Sequence, residues 1–142
     1  MENWQLMARE EIRDLVSRYN ANGDTGRFAQ VRALFAPDAV LIVQGRRHEG
    51  IDAVMEVFTG ATANDGGPSY VRHFTATHQI DLVDEAHATG RCYFAVLTDI
   101  GLDHWGRYVD DYRRVDDRWV FASRSVTLDG QVSGSLFPRT VD

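Results

Sequence analysis

The chain has 142 residues, 44 % of them hydrophobic and 25 % charged, the proportions of a globular protein and not of a disordered or fibrous one. Its formal net charge is −6, and basic residues occur in runs no longer than Arg46-Arg47 and Arg113-Arg114, which speaks against nucleic acid or an anionic membrane as a partner. All 15 basic residues are arginine, so lysine Schiff-base chemistry, pyridoxal phosphate anchoring and a Walker A phosphate loop are excluded.

The length suits one domain spanning 1–142, with a core large enough to leave room for one pocket. Cys92 is the single cysteine. An intramolecular disulfide and a multi-cysteine metal site are therefore ruled out, and a reducing compartment fits. The N-terminus lacks the basic start and apolar core of a signal peptide, and nowhere do about 18 apolar residues run together. The expected protein is soluble and cytoplasmic.

Along the chain, Leu6, Ile12, Leu15, Val16 and Tyr19 recur at helical spacing up to a stop at Asn22-Gly23. Asp24 or Thr25 can cap a second helix carrying Phe28, Val31, Leu34 and Phe35, which ends before Pro37. A strand is expected over 39–44, a turn at 45–47 and a third helix over 51–58. The Gly- and Asn-rich stretch 60–69 reads as a loop. Four long strands follow, near 70–83, 86–100, 104–115 and 118–129, separated by short polar turns that make consecutive strands antiparallel. Helices gathered before a long curled sheet give an α+β fold: a cone-shaped, antiparallel or mixed sheet wrapped around the N-terminal helices, its open end a natural pocket.

Several segments in this order carry a family resemblance: Ile12-Arg13-Asp14-Leu15 with Tyr19 and Asp24, Leu34 to Val40, Gly50-Ile51, Arg72-His73, and Gly106-Arg107-Tyr108 with Asp110, Trp119 and Arg124. Over roughly residues 5–130 the chain resembles the SnoaL-like branch of the nuclear-transport-factor-like superfamily. That branch includes polyketide cyclases, scytalone dehydratase, a hexachlorocyclohexane dehydrochlorinase and bile acid 7α-dehydratase. The resemblance implies an α+β barrel-like scaffold and leaves the reaction open, because one fold hosts many chemistries.

Acid–base work at neutral pH calls for a histidine held by a carboxylate. His48 and His87 lie beside turns and read as solvated. His78 alternates with Phe74, Ala76, Ile80 and Leu82 and reads as a core histidine. His73 instead alternates with Val71, Thr75, Thr77 and Gln79, a more polar face suited to a wet cavity. In the relatives a base histidine occupies the strand matching His73, and its aspartate partner matches Asp24. Taken alone, Asp24 reads as a helix cap. Tyr19 reads as a core aromatic, and the resemblance to the bile acid dehydratase implies a phenol acting on substrate oxygen. Arg124 alternates with Val120, Ala122 and Val126; so placed, it forms a salt bridge, to Asp110 or Asp99, or binds something. The dehydrochlorinase-like relatives carry an arginine there that assists a leaving group. His104 is expected at the mouth of the cone. The second histidine of scytalone dehydratase would fall near Thr98 or Asp99, which departs from that pattern.

No histidine pair has metal-ligand spacing and no Gly-x-Ser-x-Gly elbow occurs. The reading is a lyase without metal or cofactor, with His73, Asp24, Tyr19 and Arg124 as site residues. It would act on a small hydrophobic, cyclic molecule and assemble as a homodimer or homotrimer. An isomerase, a cyclase and a non-catalytic ligand-binding or assembly module are the alternatives.

Overall fold

The computed structural model describes residues 1–61 and 67–137; of the expected loop 60–69, residues 62–66 lie outside the described residues. Helix α1 (Asn3–Gly23) buries Ala8, Ile12, Leu15, Val16 and Tyr19 along one stripe, as a spacing of three and four residues dictates. Asp24 closes it, its backbone N–H bonding the Asn20 carbonyl at 2.8 Å. Asp24 therefore does not cap the second helix. Helix α2 is only Phe28–Arg32, with Arg27 at its N-cap, and Thr25 donates its hydroxyl back to the Ala21 carbonyl.

Strand β1 (Phe35–Val43) starts earlier than expected and contains Pro37. It hydrogen-bonds β2 (Arg46–Glu49) only over 40–43, so on that side Pro37 has no neighbour that would need its missing N–H. Gly50, at φ +85°, turns the chain into α3 (Ile51–Ala61). The four remaining strands, β3 (Arg72–Leu82), β4 (His87–Thr98), β5 (Gly101–Val115) and β6 (Arg118–Gln131), match the expected ones closely.

The six strands form one sheet in the order β2-β1-β6-β5-β4-β3. All neighbours are antiparallel except β1 and β6, which run parallel. Helix α1 packs against both β6 and β3, three strand positions apart and so roughly 14 Å along a flat sheet. One helix reaches both because the sheet curls around it. The concave side holds Phe94, Val96, Tyr108, Tyr112 and Phe121 against the stripe of α1.

The pairing shifts register at several points, and three of these bulges bear on the site. Ala76 pairs with Tyr93 but Gln79 with Arg91, so Thr77 and His78 together face Cys92. Val96 pairs with His104 but Leu97 with Leu102, which leaves Asp103 as an extra residue inside β5 and not in a turn. Asp111 pairs with Ser123 but Tyr112 with Phe121, which leaves Ala122 extra in β6. A bulge re-aims the side chains beyond it, and all three lie on strands that build the site described next. Among the described residues no helix is long and apolar enough to cross a membrane.

Candidate functional site

Asp24, just past the end of α1, faces the start of β3. Its Oδ2 accepts the backbone N–H of His73 at 2.8 Å, and its Oδ1 lies 2.6 Å from His73 Nδ1. The Asp24 side chain is 9 % exposed and that of His73 is 22 % exposed. An ionised carboxylate only accepts, so Nδ1 presents its hydrogen to Asp24, and in the neutral ring the lone pair is on Nε2. The expected dyad is thus brought together across about fifty residues of sequence.

A second pair stands beside it. His73, Val96 and His104 occupy one row across β3, β4 and β5, and the two histidine rings lie 6.5 Å apart, edge to face. His104 Nδ1 is 2.8 Å from Oδ1 of Asp103, whose side chain is fully buried. Burial works to raise the Asp103 pKa, but hydrogen bonds from Ser135, the Leu136 amide and His104 outweigh it and hold the carboxyl below its ordinary value. For His104 burial prevails over the Asp103 bond, and its pKa is lowered. The ring is therefore neutral at pH 7 with its proton on Nδ1. Phe94 packs 6.0 Å from His73 and 6.4 Å from His104, and Phe137 lies 4.7 Å from His104. The two imidazoles thus sit between aromatic walls.

The position near Thr98 or Asp99 holds no histidine: Asp99 binds Ser69, and Thr98 donates to Asp103 at 3.3 Å. The second histidine comes from β5 instead. Strict alternation would send the neighbours Asp103 and His104 to opposite faces. The bulge at Asp103 turns both inward, and the adjacency of an aspartate and a histidine was the only signal available in the sequence.

Arg124 and Asp110 are register partners on β6 and β5. Arg124 Nε and Nη2 bond the Asp110 carboxylate at 2.7 and 2.8 Å, with both side chains fully buried. Of the two expected partners, Asp110 is the one used. The alternation of Arg124 with Val120 and Ala122 is corrected by the bulge, because its guanidinium lies 4.4 Å over the Phe121 ring, and 3.9 and 4.2 Å over Tyr108 and Tyr19. Burial works to lower the Arg124 pKa, and Asp110 overrides it to raise it. Its Nη1 is buried without a hydrogen-bond partner among the described residues.

Tyr19 is 7 % exposed and its ring packs edge-on against Phe35, Phe58, Tyr108 and Phe121. Burial raises its pKa, with the charge of Arg124 opposing, so the phenol stays protonated. Tyr19 and Arg124 form one stacked unit in the core.

His78 does not share a face with the exposed Phe74 and Ala76. The bulge at Thr77 turns it inward with Ile80 and Leu82. Its Nε2 lies 3.1 Å from the Tyr112 hydroxyl, which donates to Asp110 Oδ2 at 2.8 Å. A Cβ on Gly90 would come within 2.8 Å of that hydroxyl, so only glycine leaves room for it. His87 is exposed and bonds Asp84. Among the described residues no group of three or more His, Cys, Asp or Glu is placed to hold a metal ion. A groove of about 460 Å³ between α1, α2 and the β5–β6 turn is lined by neither Asp24 nor His73.

A profile of the SnoaL-like domain matches residues 4–125. The chain belongs to the SnoaL-like domain family. A search of curated proteins finds no match. Among solved structures, a scytalone dehydratase candidate from Novosphingobium aromaticivorans superposes with a TM-score of 0.83 at 20 % identity, covering 93 % of this chain and 91 % of that one. The hexachlorocyclohexane dehydrochlorinase LinA-type3 from Novosphingobium barchaimii gives a TM-score of 0.77 at 16 % identity, covering 96 % and 98 %. A Mycobacterium tuberculosis protein of unknown function gives 0.78 at 25 % identity, covering 91 % and 76 %. At such identities the dehydratase and dehydrochlorinase likenesses establish the SnoaL-like fold, and chemistry must be argued from the site.

Proposed function

We propose that this SnoaL-like protein is a lyase that eliminates water or another small leaving group from a small, hydrophobic, ring-bearing molecule, without metal or cofactor. The observation that carries the reading is the Asp24–His73 contact at 2.6 Å. It leaves a partly exposed imidazole with a free Nε2 lone pair and a carboxylate behind it to stabilise the imidazolium. His73 takes a proton from carbon. The C–H electron pair becomes the new C=C bond, and the leaving group departs with its own bonding pair. The walls Phe94 and Phe137 suit a flat ring. Among the structural neighbours, the scytalone dehydratase candidate and the dehydrochlorinase belong to the same reaction class.

Tyr19 and Arg124 serve, in this reading, as a buried polar floor from which the phenol and Nη1 can donate to substrate oxygen. An isomerase is the second reading, favoured by one observation. With two imidazoles 6.5 Å apart, a proton removed at one carbon can be returned at another.

The test is proton exchange. A panel of cyclic ketones and β-hydroxy ketones is incubated with protein in D₂O and followed by NMR. Deuterium incorporation or alkene formation that His73→Ala abolishes supports the reading. A panel whose members bind, as seen by shifts of the His73 resonances, yet never exchange or eliminate would favour a non-catalytic ligand-binding module.

A further inference from the structure

The residues after β6 converge on the buried carboxylate of Asp103. Ser135 Oγ donates to its Oδ1, the oxygen that also holds His104 Nδ1. The Leu136 amide donates to Oδ2 at 2.9 Å, and the Val132 amide donates to the Asp103 carbonyl at 3.0 Å. Gln131 Nε2 bonds Ser135 Oγ at 2.7 Å and the Phe137 carbonyl at 3.1 Å, and the Phe137 amide donates to Ser135 Oγ at 3.1 Å. Ser135 is therefore surrounded by donors. Its oxygen accepts from Gln131 and Phe137, so its own hydrogen is committed to Asp103. The chain then lays the Phe137 ring against the His104 imidazole at 4.7 Å.

A buried carboxylate must have its lone pairs satisfied. Among the described residues, apart from His104 and the hydroxyl of Thr98 at 3.3 Å, the donors to the Asp103 carboxylate come from this segment. Its folding and the aim of the His104 ring are thus two consequences of one carboxylate's geometry.

We propose that Ser135 is a positioning residue of the site, fixing His104 through Asp103, and that residues 132–137 are part of the site and not a passive terminus. This rests on the reading that His104 belongs to the site, and it extends that reading to a residue outside the span matched by the family. With the Ser135 hydroxyl gone, the shared Oδ1 is freed to turn, and His104 loses the fixed partner that sets its tautomer.

The test uses the full chain and needs no substrate. The ¹⁵N imidazole resonances report which nitrogen carries hydrogen, and their titration reports the midpoint. The charged or titratable groups facing His104 are Asp103 and His73. In the unmodified protein His104 is expected as a single Nδ1–H form that titrates below an ordinary histidine. Ser135→Ala is expected to mix the two tautomers and, because the Asp103 contact is what raises the His104 pKa against burial, to move the midpoint further down, by roughly half a unit or more. Ser135→Thr, which keeps the hydroxyl, should restore both. Phe137→Ala should raise the midpoint by admitting water while keeping the tautomer. A dispersed amide spectrum shows each variant folded. A folded Ser135→Ala protein with the His104 tautomer and midpoint unchanged would overturn the proposal, even if its melting temperature fell. Because these signals belong to His104 and not to turnover, the proposal can stand with the lyase reading lost, or fall with it intact.

Discussion

Asp24 grips His73 at two points, the backbone amide through Oδ2 at 2.8 Å and the ring nitrogen through Oδ1 at 2.6 Å. The first contact docks the start of β3 on the end of α1, and the second sets the tautomer. Asparagine can separate the two roles. In Asp24→Asn the carbonyl oxygen can still accept the amide, while the NH₂ group faces Nδ1 and drives the ring hydrogen to Nε2. The fold should survive within about 1 kcal/mol, and turnover should fall on the order of a hundredfold or more. His73→Ala should match that loss of turnover. Urea unfolding alongside a rate assay checks the separation; equal losses of stability and activity would contradict it.

The buried pair of Arg124 and Asp110 sets a larger effect. Replacing one partner leaves the other charge in the core, which costs about 3–5 kcal/mol. Arg124→Met should therefore destabilise the chain heavily. The double variant Arg124→Met with Asp110→Leu should recover much of the loss, because hydrophobic replacement of a buried pair is often near neutral. A chemical-denaturation cycle over the four proteins measures this.

Thr77 is a β-branched residue at φ +56°, a conformation that costs of order 1 kcal/mol or more for a side chain with Cβ. The strain buys an inward-facing His78. Thr77→Gly should thus raise stability by roughly 1 kcal/mol, with the His78 to Tyr112 contact kept, as followed by thermal unfolding and the His78 resonances.

How much of this was legible in the sequence divides at the bulges. Regular alternation read the limits of the four long strands well, put His73 on a polar face, and left Asp110 and Asp99 as partners for Arg124; the match of Asp24 to His73 came from the family resemblance. Alternation failed wherever an extra residue shifts the register. Thr77 parts His78, which lies inward as the core reading had it, from the exposed Phe74 and Ala76; Ala122 sets Arg124 beside Phe121, and Asp103 sits in β5 and not in a turn. A bulge is decided by pairing between strands distant in sequence, so no local pattern marks it. Asp103–His104 was missed for this reason. Asp24 was readable as a cap, but which oxygen meets which donor depends on how α1 docks on β3.

The outer face of the sheet bears on assembly. Phe74 and Trp105 share a row across β3, β4 and β5 with Ala95 between them. They and Tyr93 are 59 %, 36 % and 58 % exposed. Such a patch is expected to be covered by a second copy, in keeping with the homodimer or homotrimer expected from the sequence. Phe74→Glu with Tyr93→Glu should shift sedimentation toward the 16.0 kDa single chain while leaving the fold unchanged. An unmodified protein already at that mass at micromolar concentration would refute the expectation.

Acidification should weaken the fold in two separate windows. Burial is the largest influence on both His104 and His78 and lowers their pKa values below 6.5. The unfolded chain then binds protons at a higher pH than the native one. Stability rises with pH wherever the unfolded state holds more protons, so the contribution of these two histidines is complete above their unfolded pKa. It is lost as the pH falls through their lowered native values. The second window belongs to carboxyls whose pKa is lowered in the native state. For Asp103 burial alone would raise it and hydrogen bonds prevail, whereas for Asp84 and Asp99 hydrogen bonds are the leading cause. Their contribution is present above the model-peptide value of 3.8 and fades only below it. Urea unfolding across the pH range should therefore show a decline beginning below about 6.5, then a further one under strongly acid conditions. His104→Gln and His78→Gln should each flatten the first decline and leave the second in place. A first decline that persists in the double histidine variant would show that other groups produce it.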